Sequence, residues 1–120
     1  MNRTQFLTQL TQNPGTIVLK VGADWCGPCK VLDPILDKLV AKLPPTVLYF
    51  KQDLESDLGS FLNAKKQISA VPVLLVYRKN NLTPYADACL TGPTEEQVRA
   101  LFLSLAKQKK NEGGKQLVPK

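Results

Sequence analysis

Ala23-Asp24-Trp25-Cys26-Gly27-Pro28-Cys29-Lys30 is the stretch from which the fold is read. An apolar, β-branched run, Thr16 to Gly22, leads into it, and a helical pattern, Lys30 to Leu43, leads out. Two cysteines separated by two residues can close a small ring that opens and closes by thiol–disulfide exchange. With Cys29 one turn into the helix, Cys26 falls at the helix N-terminus. There, free backbone N–H groups and the positive end of the macrodipole favour an anion. A thiolate is such an anion, so the placement makes Cys26 the better nucleophile. Gly27 allows close approach of a partner, and Pro28 fits a first turn, where a missing N–H costs little. A pair of buried structural cysteines, or half of a metal site, is the alternative reading of the same two residues.

Upstream, Asn2 to Gln12 reads as a helix with Phe6, Leu7 and Leu10 on one face and Asn2 as N-cap. Asn13-Pro14-Gly15 ends it as a turn. Thr16 to Gly22 is apolar on both faces except at Lys20, the pattern of a central, covered strand. Downstream, Val31, Leu32, Ile35, Leu36, Leu39, Val40 and Leu43 form a broad apolar stripe, interrupted by Pro34 and stopped by Pro44-Pro45. Thr46 to Phe50 is a second strand, and a short helix is expected over Asp57 to Lys66. Val71 to Tyr77 is a third strand, opened by Pro72. Lys79-Asn80-Asn81 reads as a hairpin turn leading to a weaker edge strand, Pro84 to Thr91. A last helix is opened by Thr94, with Gln97 completing a capping box and Val98, Leu101, Phe102 and Leu105 buried. Two strands alternating with helices, then a hairpin, predict an α/β fold. Its mixed sheet is parallel first and antiparallel at the edge, with helices on both faces. Sites on such sheets lie beyond the carboxyl ends of the parallel strands, where the two cysteines fall.

The chain has 120 residues, 43% hydrophobic and 22% charged, in keeping with one domain over residues 1–107. A basic tail, residues 108–120, loses periodicity and is expected to be disordered. The net charge of +6 draws much of its excess from Lys107, Lys109, Lys110, Lys115 and Lys120. No aromatic residue is interleaved with these lysines, which argues against nucleic acid as a partner. Three cysteines are too few for a secreted disulfide scaffold. No run approaches the ~18 apolar residues of a membrane span, and no signal peptide is read at Met1 to Leu7. A cytoplasmic or other reducing compartment is therefore expected. With no histidine, the chain offers no Cys–His or Ser–His hydrolase and no conventional zinc set, and Lys30 after the second cysteine rules out C-x-x-C-H haem attachment.

Trp25-Cys26-Gly27-Pro28-Cys29-Lys30 resembles the active-site hexapeptide of the thioredoxin family. Pro34 resembles the family's helix-kinking proline, Val71-Pro72 its cis-proline dipeptide, and Gly92 the glycine that leaves room for substrate. The resemblance covers about Asn2 to Lys107. It implies a thioredoxin-like fold, here with four strands because the usual first strand is missing. It also implies a protein-disulfide reductase with Cys26 and Cys29 catalytic, and Trp25, Gly27, Pro28, Val71, Pro72 and Gly92 against the substrate. No bound cofactor or metal is implied. Electrons would come from an external thioredoxin reductase drawing on NADPH, and the partners would be disulfide-containing proteins met by a monomer. An adaptor that leaves the redox pair unused, and a more oxidising exchange protein, are the competing readings.

One departure touches the chemistry. The family keeps a buried Asp six residues before the first cysteine, and Lys20 stands there. Asp24 aligns with an exposed residue and cannot replace it. A cation ~8 Å from the sulfurs, at an effective dielectric of ~20, favours a thiolate by about 2 kcal/mol, roughly 45 mV toward an oxidising potential. Lys20 is therefore a candidate for tuning ionisation or proton transfer, unless burial deprotonates it or its amine snorkels to the surface. Cys89 reads as a small buried hydrophobe, with a regulatory thiol or an intermolecular disulfide as the alternative.

Overall fold

A computed structural model describes residues 1–117, with side chains through Lys107. The first helix, α1 (Arg3–Thr11), is held by a capping box in which Asn2 and Gln5 each accept the other's backbone N–H. It is followed by β1 (Thr16–Gly22), α2 (Gly27–Val40), β2 (Val47–Asp53), α3 (Asp57–Ala64), β3 (Val73–Arg78), β4 (Ala88–Thr91) and α4 (Glu95–Leu117). The sheet order is β2-β1-β3-β4. β1 runs parallel to β2 and antiparallel to β3, and β4 is antiparallel to β3. The expected mixed four-stranded sheet is therefore present.

Alternation along the strands sorts the core onto two faces. Ile17, Leu19, Val21, Val73, Leu75 and Tyr77 pack with Phe6, Leu10, Leu58 and Leu62 of α1 and α3. Val18, Leu74 and Val76 pack with Leu32 and Leu36 of α2 and with Val98, Phe102 and Leu105 of α4. Lys20 and Gly22 share Val18's parity, so both face α2.

Several boundaries differ from the sequence reading. α2 begins at Gly27, continues through Pro34 and stops at Val40, three residues before Leu43. β2 extends three residues past Phe50, because the backbones of Lys51, Gln52 and Asp53 stay in register with Lys20, Val21 and Gly22. β3 begins just after Pro72, and β4 is limited to four residues. The segment before β4 is tied down instead by Tyr77 Oη donating to the Pro84 carbonyl at 2.7 Å. Asn80 takes the positive φ (78°) that the hairpin turn requires. Thr94 and Gln97 form the expected capping box of α4. Backbone helix continues to Leu117 where disorder is expected from Gln108. The tail's last residues, 118–120, lie outside the described residues.

Cys89 is exposed, which corrects its reading as a buried hydrophobe. β4 is an edge strand whose Ala88 and Leu90 turn toward the α2–α4 core. Cys89 therefore points to the opposite side, beyond the cover of α1 and α3.

Candidate active site

β1 ends at Gly22 and α2 starts at Gly27, so the four residues between them form a short link at the carboxyl end of the two parallel strands. Cys26 is the N-cap of α2, and its sulfur accepts the Cys29 backbone N–H at 3.1 Å. That hydrogen bond, with the helix dipole, favours negative charge on Cys26 Sγ once the pair is reduced. Cys26 and Cys29 form a disulfide with their Cα atoms 5.3 Å apart. Both are buried, at 3% and 2% exposure, beside Trp25 at 67%. Pro28 occupies the first turn of α2, as its missing N–H allows.

The remaining candidates line up across the sheet end. Val71–Pro72 is a cis peptide, and the Gly92 N–H donates to the Pro72 carbonyl at 2.7 Å. Gly22 pairs with Asp53 on one side, and on the other the β1–β3 register brings Pro72 one step beyond the Val21–Val73 pair. Trp25 and Val71 line one groove of about 240 Å³ with Ile68 and Asn63. Pro28 and Val31 line another of about 470 Å³ with Pro93, the neighbour of Gly92. Gly92 has φ +55°, which is why glycine stands there, and a Cβ on it or on Gly27 would meet open space.

Beneath the disulfide lies a third cleft, of about 310 Å³, lined by charge. Lys20, Lys30, Lys51, Asp24, Asp33 and Asp53 line it, with Cys29 and Gly22 in its wall. Lys20 neither reaches the surface nor stands alone. It is 5% exposed, and its amine lies 2.8 Å from Asp33 Oδ1. The contact is ionic and lacks hydrogen-bond alignment, so Asp33 Oδ1 is buried with only this charge for company among the described residues. A Cβ built on Gly22 would lie 2.7 Å from Lys20 Nζ and 3.1 Å from Cys29 Sγ. Amine and sulfur are therefore no further apart than the sum of those two distances. Tyr49, also facing α2, has a buried hydroxyl without a hydrogen-bond partner. Burial, and then the charges of Asp33 and Asp37, push its ionisation well above the usual tyrosine range.

Asp33 is the cleft residue that the sequence reading misses. Two signals point to it. It lies four residues after Cys29, on the same face of α2. It also interrupts that helix's apolar stripe, opposite the one cation in β1. The carboxylate offsets Lys20's field, so Lys20 does not stand under the sulfurs as a lone cation.

The family comparisons agree with this geometry. The thioredoxin family model matches residues 1–101. The chain belongs to the thioredoxin family. Putative thioredoxin-4 of Dictyostelium discoideum is 33% identical over 89 residues, 74% of this chain and 79% of that protein. Mitochondrial thioredoxin of Mus musculus is 30% identical over 100 residues, and the match spans 83% of this chain but 57% of the mouse protein. Oxidised Plasmodium falciparum thioredoxin superposes with a TM-score of 0.69 at 24% identity, covering 88% of this chain and 93% of that one. Thioredoxin f of spinach chloroplast gives 0.71 at 22% identity, covering 88% and 83%. With its paired Cys26 and Cys29, this thioredoxin-family chain is a thiol–disulfide oxidoreductase. Among the described residues, no helix is long and apolar enough to cross a membrane, and no group of three metal-ligating side chains occurs.

Proposed function

We propose that the chain reduces protein disulfides, with Cys26 as the attacking sulfur and Cys29 as the resolving one. The observation that carries this reading is the position of Cys26 at the N-cap of α2, its sulfur already accepting a backbone N–H. The Cys26 thiolate attacks a substrate disulfide, and one substrate sulfur leaves as a thiolate. Cys29 then attacks Cys26 Sγ, which releases the second substrate sulfur and restores the Cys26–Cys29 bond. Trp25, Val71 and Pro72 on one side, and Gly27, Pro28 and Gly92 on the other, flank the substrate chain. Turnover needs an external dithiol donor, by family a thioredoxin reductase drawing on NADPH. The protein works as a monomer in the cytoplasm, a compartment read from its few cysteines, although mitochondrial relatives share the fold.

Trapping tests the assignment. Cys29→Ser should accumulate a mixed disulfide with a disulfide-bonded protein probe, and Cys26→Ser should not. The reverse pattern would exchange the two roles. Full function in a Cys26→Ser, Cys29→Ser double variant would favour an adaptor instead.

A further inference from the structure

The reductase cycle requires the buried Cys29 thiol to give up its proton before it attacks. Resting on the reductase reading, we propose that Asp33 is a positioning residue of the exchange reaction that acts through Lys20. It neutralises the ammonium beneath Cys29, and so sets how readily that thiol gives up its proton. Lys20 Nζ is 2.8 Å from Asp33 Oδ1, and it shares with Cys29 Sγ the space that a Gly22 side chain would fill. Lys20 is sealed in, while the Asp33 side chain is 33% exposed to the cleft. The pair therefore has one end at the sulfur and one end at water.

During resolution the Cys29 thiol gives its proton to water in the cleft, in the field of the Lys20–Asp33 pair. The Cys29 thiolate attacks Cys26 Sγ. The bond between Cys26 and the substrate sulfur breaks, and its electron pair leaves on the substrate. The substrate thiolate takes a proton from solvent. No further oxidant or reductant is required.

The other charged groups at the cleft are Asp24 in the link between β1 and α2, Lys30 in the first turn of α2, and Lys51 and Asp53 on β2. Tyr49 and Asp37 lie beside Asp33. The three lysines and three aspartates lining the cleft balance, so removing one member of the buried pair uncovers the other.

Opposite signs are the test. In a reduced Cys26→Ser, Cys89→Ser background, ionisation of Cys29 is followed by thiolate absorbance against pH. Asp33→Asn leaves Lys20 uncompensated and should favour the thiolate, lowering the midpoint by ~1–2 pH units, a ~10- to 100-fold change. Lys20→Met leaves Asp33 uncompensated and should raise the midpoint by a similar amount. The double variant should return near the parent, and Asp33→Glu, which keeps the charge, should resemble it. If Lys20→Met fails to fold, Asp33→Asn against Asp33→Glu still decides. Shifts of the same sign in both single variants, or an unmoved midpoint in Asp33→Asn, would overturn the proposal. Trapping of the mixed disulfide, in proteins that keep Cys26, is read separately. Its failure would remove the reductase reading while leaving the opposite shifts intact.

Discussion

Gly22→Ala is the most direct test of how tightly the space under the disulfide is filled. The new Cβ would lie 2.7 Å from Lys20 Nζ, 3.3 Å from Lys20 Cε and 3.1 Å from Cys29 Sγ. The sulfur is held by the ring and by α2, so the lysine must move, and moving it breaks the pair with Asp33. Overpacking of this kind costs about 1–3 kcal/mol. Replacing glycine also narrows the unfolded ensemble, which returns roughly 0.4–1 kcal/mol. A net loss of about 1–2 kcal/mol is expected in the parent. In a Lys20→Ala background, both lysine atoms are gone and only the sulfur contact remains. The same Gly22→Ala change should then be close to neutral. The cost of Lys20→Ala itself, including the bared Asp33, enters both arms of the double-mutant cycle and cancels. Urea unfolding of the four oxidised proteins, with unchanged m-values, measures the coupling. Equal costs of Gly22→Ala in both backgrounds, within ~0.5 kcal/mol, would refute the assignment of Lys20 to that space.

Asn13 is buried; its side chain donates to the Tyr77 carbonyl at 3.1 Å and accepts the Gly15 N–H at 2.9 Å. Asn13→Ala strands both backbone groups and should cost about 2–3 kcal/mol in urea, with a loss under ~1 kcal/mol counting against it. Thr94→Ala removes half of the α4 capping box and should cost about 1 kcal/mol by the same measurement. Tyr49 and Tyr77 are both held above the ordinary tyrosine value, chiefly by burial. The folded chain thus keeps protons that the unfolded chain releases, so stability should hold up to about pH 10 and fall as pH rises beyond it. Native phenolate absorbance from these two residues with an ordinary midpoint, or flat stability across that range, would contradict their burial.

Local signals carried most of the architecture. The apolar run of β1, the Asn2 and Thr94 caps, and the punctuation at Pro14-Gly15 and Asn80-Asn81 each act within a few residues of where they stand. The structure repeats them with shifts of a few positions. Polar strand ends were less legible. The second strand was read only as far as Phe50, yet pairing with β1 draws Lys51 to Asp53 into the ladder. Cys89 misled for a related reason. Its face depends on which strand lies at the sheet edge and how far the helices reach, and neither is a property of its neighbours.

By itself the sequence determined the family, the two-cysteine ring at a helix N-terminus, and the presence of a cation where the family keeps an acid. Spacing and periodicity suffice for these, because an N-cap and a strand parity are set locally. Only the tertiary structure decided what that cation does. Lys20 and Asp33 are 13 residues apart on different elements, and they meet because β1 parity turns Lys20 toward α2 while Asp33 lies one turn after Cys29. Whether a buried amine is a free charge, a neutral base or half of a pair depends on what packs within a few ångströms of it, and the fold brings Asp33 to that place.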